Sequence, residues 1–224
     1  MNHFPKIKFC GLLEKEQVAF AVKNNIYWAG FIYVKGSSRF ITYENSKNII
    51  SSFKDKINFV GVFVNADNDH IELGINAGID YIQLHGEESP KRCEEIKNFY
   101  KKPIIKAIPI EDESDLKNIE HYNNVCDYFL FDKKNSNKKG YNGGTGKTFD
   151  WNIIDKNKKW LSKFKPWILS GGLDIYNINQ AINLTETKAI DVSSGIEYSS
   201  GIKSMELMDL FVKKINNYDY EVHK

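Results

Sequence analysis

The stretch "DKKNSNKKGYNGGTGKTFDW", Asp132 to Trp151, decides between two folds. Read as a nucleotide cradle, its GGTGKT would open a phosphate-binding helix in an open, doubly wound sheet. That motif requires a Gly five residues before the Gly of Gly-Lys-Thr. Counting back five from Gly146 gives Tyr141, and the nearest glycine, Gly140, is one residue too far. The loop of such a motif also leaves its strand directly, whereas the polar run "DKKNSNKK" (Asp132 to Lys139) separates these glycines from the apolar run before them. The glycines therefore belong to a long connection between a strand and a helix.

Working outward from that connection, eight short apolar runs rich in β-branched and aromatic residues recur along the chain. They are "KIKFC" (from Lys6), "WAGFIYV" (from Trp28), "NFVGVFV" (from Asn58) and "DYIQLH" (from Asp80). The second half adds "IIKAIPI" (from Ile104), "DYFLFD" (from Asp127), "PWILSG" (from Pro166) and "TKAIDVSSG" (from Thr187). Most are continuously apolar, as strands covered on both faces are. Helical patterns fall between them. Ser89-Pro90 supplies a cap and a first-turn proline, Asp150 can cap "WNIIDKNKKWL", and Asp174 can cap "IYNINQAIN". Met208, Phe211, Val212 and Ile215 share one face of the last helix. Strict alternation of strand and helix predicts a parallel sheet. Eight such units predict a single (β/α)8 barrel over residues 1–216, with 217–224 as a loose tail. An open doubly wound sheet is the alternative, and eight units are many for it.

The totals narrow the class. The 224 residues are 42% hydrophobic and 27% charged, with a net charge of +2. That balance gives no footprint for nucleic acid, and no run is long and apolar enough to span a bilayer. Cys10, Cys93 and Cys126 form no CxxC pair and cannot all be paired with one another, which favours a reducing, cytoplasmic setting.

In a barrel, reactive groups stand at the C-terminal ends of the strands, and phosphate is commonly held by the last two loops. The first strand ends in Cys10-Gly11, a thiol that could be a nucleophile, a base or a small buried hydrophobe. The sixth ends in Asp132, where partial desolvation would suit a proton donor, and a helix cap is the plainer role. "SGGLD" (Ser170 to Asp174) and "DVSSGIE" (Asp191 to Glu197) close the last two strands with the composition of an anion nest. Gly171, Gly172, Ser193, Ser194 and Gly195 are the expected phosphate ligands. Arg39 follows the second strand and suits a carboxylate or phosphate, or is simply a surface cation. His85 ends the fourth, where no HxH or HxxE spacing supports a metal and a hydrogen-bonded rim histidine is the reading.

In that order and register the chain resembles the phosphoribosylanthranilate isomerase family. The resemblance runs through "KFCG", "GFIYVKGSSRFI", "VGVFVN", "DYIQLHGEE", Phe131-Asp132, "GGTGKTFDW", "LSGGL" and "DVSSGIE". It implies a (β/α)8 enzyme of tryptophan biosynthesis that carries out an Amadori rearrangement without a cofactor. It implies Cys10 as the general base and Asp132 as the general acid that opens the sugar ring. Arg39 would hold the anthranilate carboxylate, His85 and Asp191 would complete the substrate site, and the two glycine loops would hold the phosphate. The partner implied is one small-molecule substrate, with the protein a monomer or homodimer. A related histidine-pathway isomerase carries aspartate where Cys10 stands, so the cysteine argues against it. A barrel that binds a sugar phosphate without turnover would have no need of Cys10, Asp132 and Arg39 together. Two departures stand out: "GLLEKEQVAF" replaces the family's usual Cys-Gly-Ile-Thr continuation, and the segment from Asp132 to Asn142 is a few residues longer, with extra lysines. Gly143, Gly144 and Gly146 then become a lid hinge beside the acid, because glycine gives a closing loop its freedom.

Overall fold

The computed structural model of the chain describes residues 4–134 and 148–218. The first half of the chain runs β1 (Lys6–Cys10), α1 (Lys15–Lys23), β2 (Trp28–Ile32), α2 (Tyr43–Phe53), β3 (Asn58–Phe63), α3 (Asn68–Ala77), β4 (Tyr81–Leu84) and α4 (Pro90–Tyr100). The second half runs β5 (Ile104–Ile110), α5 (Glu113–Leu116), α6 (Ile119–Tyr122), β6 (Tyr128–Lys133), α7 (Asn152–Leu161), β7 (Trp167–Leu169), α8 (Ile178–Thr185) and β8 (Ala189–Val192). A small hairpin, β9 (Glu197–Ser199) and β10 (Ile202–Lys203), precedes α9 (Met205–Asn216). The eight expected strands are all present and pair in sequence order, parallel throughout, with β8 closing on β1. The barrel is closed, so the open-sheet alternative is excluded.

Closure explains the apolar runs. β2 is buried at every position, because one side of each strand faces the barrel lumen and the other faces the helices. Trp28, Val60, Ile105, Leu130 and Ile168 fill the lumen towards its N-terminal end as one cluster. Trp28 meets the rings of Tyr81 and Tyr128 edge-on there, at centroid distances of 6.1 and 5.6 Å. Phe9, Phe31, Phe59, Phe129 and Phe131 point the other way, into the layer under the helices.

Local signals are mostly obeyed. Ser89 accepts the Arg92 N–H and Pro90 opens α4, as its sequence predicts. Met208, Phe211, Val212 and Ile215 of α9 are all buried. Two caps are corrected. Asp174 accepts the N–H groups of Tyr176 and Asn177, which closes a turn, and α8 begins only at Ile178. Asp150 accepts the Asn152 N–H at 3.0 Å, but the residue flanking α7 is Trp151, whose side chain makes no cap. Of the expected loose tail, Asn217 caps the end of α9 and Tyr218 packs against the core; 219–224 lie outside the described residues.

Candidate active site

Period-two geometry sends alternate residues of each strand into the lumen. At the C-terminal end this brings Cys10 of β1, Gln83 of β4 with His85 just beyond it, Asp132 of β6, Ser170 and the Gly171-Gly172 turn after β7, and Asp191, Ser193 and Ser194 at the end of β8 to one cleft. Ile32, Val62 and Leu173 complete its wall, and it holds about 530 Å³ counted to its open mouth. Around the rim the order is Asp132, the Gly171-Gly172 turn, Asp191 with Ser193, then Cys10, because β7 and β8 separate β6 from β1.

Asp132 is fixed at both oxygens. Its Oδ2 lies 3.1 Å from His85 Nε2 and its Oδ1 accepts the Lys133 N–H at 2.8 Å. The Gln83 amide nitrogen stands 2.8 Å from His85 Nδ1. The ring is held between the Gln83 amide at Nδ1 and the Asp132 carboxyl at Nε2. His85 is thus a rim histidine holding a carboxylate.

Cys10 is buried, with 5% of its surface exposed. Burial pushes its thiol above the ordinary value; Lys8 pulls it down, Asp191 pushes it up and Lys203 pulls it down. Asp191 itself is clasped, accepting Lys8 Nζ at 2.8 Å and Ser170 Oγ at 3.2 Å. Gly11 has a φ of +74°, and a Cβ there would stand 2.7 Å from Arg39 Cδ. The glycine after the cysteine is what allows Arg39 to lie across the top of β1.

Gly171 and Gly172 sit at φ of +85° and +68°, the left-handed region that side chains disfavour. Gly195 is needed for closeness instead: a Cβ on it would run into the Leu173 carbonyl, where the two terminal loops touch. Ser193 Oγ donates to the Cys10 carbonyl at 3.0 Å, tying this loop to β1.

Arg39 does not line the cleft. Its Nε and Nη2 donate to Glu197 Oε1 and Oε2, both at 2.7 Å, and only 5% of its surface is exposed. Gly143, Gly144 and Gly146, the expected lid hinge, lie outside the described residues. Among the described residues, no group of three or more His, Cys, Asp and Glu side chains is placed to hold a metal ion.

Sequence reading missed Lys8, Gln83, Glu197 and Lys203. Lys203 Nζ donates to the Ser193 carbonyl at 2.9 Å and to Glu197 at 2.7 Å, binding the β9–β10 hairpin to the β8 loop. Lys8 and Gln83 carried a usable signal, since each is a polar residue inside an apolar strand run and shares a face with a rim residue two positions on. The hairpin carried none, its strands being only three and two residues long.

Comparison with known proteins agrees with this architecture. The family model described as N-(5'phosphoribosyl)anthranilate (PRA) isomerase matches residues 7–214. A Zymomonas mobilis N-(5'-phosphoribosyl)anthranilate isomerase is 36% identical over 211 residues, covering 94% of this chain and 97% of its own. The crystal structure of the phosphoribosyl anthranilate isomerase of Thermotoga maritima superposes with a TM-score of 0.83 at 30% identity, covering 95% of this chain and 98% of that one. A structure of such an isomerase in complex with reduced 1-(o-carboxyphenylamino)-1-deoxyribulose 5-phosphate superposes with a TM-score of 0.80 at 27% identity, covering 95% and 98%. The chain belongs to the phosphoribosylanthranilate isomerase family.

Proposed function

We propose that this chain isomerises N-(5-phosphoribosyl)anthranilate to 1-(2-carboxyphenylamino)-1-deoxyribulose 5-phosphate, the Amadori step of tryptophan biosynthesis. The observation that carries this reading is the order around the rim: an acid, two glycine-bearing loops, then a thiol. A sugar phosphate anchored by Gly171, Gly172, Ser193, Ser194 and Gly195 would place its furanose ring between Asp132 and Cys10.

Asp132 in its protonated form donates its proton to the ring oxygen as the bond from that oxygen to C1′ breaks, leaving an iminium at C1′. Cys10, as thiolate, takes the proton from C2′, and the resulting enolamine tautomerises to the ketone. Only protons move, so acid and base side chains suffice. His85 holds Asp132 in position, and Asp191 stands where hydroxyls of the sugar chain would reach it. Arg39, which Glu197 holds outside the cleft lining, would take the anthranilate carboxylate by turning its fork from Glu197. Three free, buried cysteines are in keeping with the cytoplasm as its location, and no helix among the described residues is long and apolar enough to cross a membrane. The Thermotoga maritima relative is described as dimeric, and a monomer or homodimer is proposed here.

The test is to generate phosphoribosylanthranilate in situ and follow the loss of its fluorescence. Turnover by the purified chain supports the reading; binding of the substrate without turnover would overturn it.

A further inference from the structure

Lys8 is the least expected residue of the barrel lumen. A lysine with no exposed surface is costly unless its charge is met. A carboxylate and a thiol stand beside it. Asp191 Oδ1 accepts its Nζ at 2.8 Å, and the Cys10 sulfur stands two residues further along the same face of β1. The space that sulfur and ammonium share is left open by Gly30, which pairs in register with Cys10. A Cβ built on Gly30 would stand 3.1 Å from Cys10 Sγ and 3.2 Å from Lys8 Nζ. Gly30 is not a turn residue; it sits inside β2, where a glycine marks a close approach.

We propose that Lys8 is a positioning residue that stabilises Cys10 as a thiolate, with Gly30 as the gap that admits the contact and Asp191 as the competing anion. The charged and titratable groups around the sulfur are Lys8 on β1, Asp191 on β8 and Lys203 on β10, with His85 and Asp132 across the cleft. A single buried cation with two candidate anions favours one of them at a time. In the structure Asp191 holds Lys8 and burial raises the thiol; a ligand that donates hydrogen bonds to Asp191 leaves Lys8 to the sulfur. The thiol is thereby ionised by occupancy of the site.

This rests on the assignment of Cys10 as base, but its test requires no substrate and so fails separately. Alkylation of the intact protein by iodoacetamide, quantified at the Cys10 peptide by mass spectrometry, is followed from neutral to alkaline pH. Lys8→Met is expected to move the midpoint to higher pH, slowing alkylation at neutral pH about tenfold for each pH unit that the midpoint rises, while the alkaline plateau stays at the wild-type rate. Gly30→Ala, which keeps both partners and wedges them apart, should move the midpoint the same way. Asp191→Asn should move it downward, because the thiolate becomes the remaining partner of Lys8. Lys8→Arg, which keeps the charge, should stay nearer wild type than Lys8→Met. Unchanged midpoints in Lys8→Met and Gly30→Ala would overturn the proposal, as would a change confined to the plateau, which reports access alone.

Discussion

Arg39 and Glu197 meet edge to edge, two N–H donors against two carboxylate oxygens at 2.7 Å each, and Lys203 shares the same carboxylate at 2.7 Å. This triad joins the loop after β2 to the hairpin after β8, so one ion cluster sets the shape of the rim on that side. Ser38 and Ser200 clip the same two segments at 2.8 Å.

Glu197→Gln should therefore destabilise the protein by about 3 kcal/mol, since it leaves two buried cations without their anion. Burial alone would raise the Glu197 carboxyl, but the Arg39 hydrogen bonds and the Lys203 charge outweigh it and hold the group below its ordinary 4.5. A depressed carboxyl stabilises above its unfolded value and loses that contribution as pH falls through its folded value. Urea unfolding against pH should show wild type and Glu197→Gln well separated at neutral pH and converging in acid. A separation that stays constant through the acid range would contradict the linkage.

His85→Ala should lower kcat by about tenfold, the worth of one charge-assisted hydrogen bond, with little change in KM. His85 holds Asp132 and transfers no proton of its own, so its loss should cost less than loss of Asp132. His85→Gln, which can still donate to the carboxylate, should recover part of the rate. A KM effect larger than the kcat effect would mean that His85 contacts substrate chiefly.

Gly171→Ala should raise KM and lower kcat together. The substitution places a side chain at φ +85°, 2.8 Å from the Lys133 nitrogen and 3.0 Å from Asp132 Oδ1. Backbone strain of about 1–2 kcal/mol would fall on the phosphate turn, and the steric contact on the acid. Inorganic phosphate should also compete less well in this variant. Wild-type phosphate inhibition with impaired kcat would place the whole effect on Asp132.

How much of the molecule is legible in its sequence depends on periodicity. The strands are readable because continuous apolar runs such as "WAGFI" and "YFLF" belong to β2 and β6, strands covered on both sides. Cys10, Asp132 and the two glycine loops are readable because barrel topology fixes which strand ends face the cleft. Lys8 and Gln83 are legible as polar residues at lumen positions of apolar runs, but what each one holds is shown only by the partner the fold brings to it. Asp191 and His85 supply those partners from 183 residues away and from two residues on. Arg39 is legible as a forked binder, but the carboxylate seen on its fork is that of Glu197, 158 residues distant. Both cap corrections arise locally, from Asx turns at Asp150 and Asp174 that imitate a helix start.

Trp28→Ala should cost about 3–5 kcal/mol, because Trp28 plugs the N-terminal end of the lumen and is fully buried. Trp28 pairs in register with Lys8 but does not line the cleft, so activity per folded molecule should be preserved below the melting transition. Thermal denaturation alongside the fluorescence assay separates the two quantities. Loss of specific activity at full folding would show that the lumen layers are coupled to the cleft.

The proposed pairing of Cys10 as base with Asp132 as acid on one substrate is tested most directly by kcat for phosphoribosylanthranilate turnover in Cys10→Ser and Asp132→Asn, with substrate binding measured in parallel. Each variant should bind with near wild-type affinity and turn over at least about a hundredfold more slowly. Undiminished turnover in either one would contradict the role assigned to that residue.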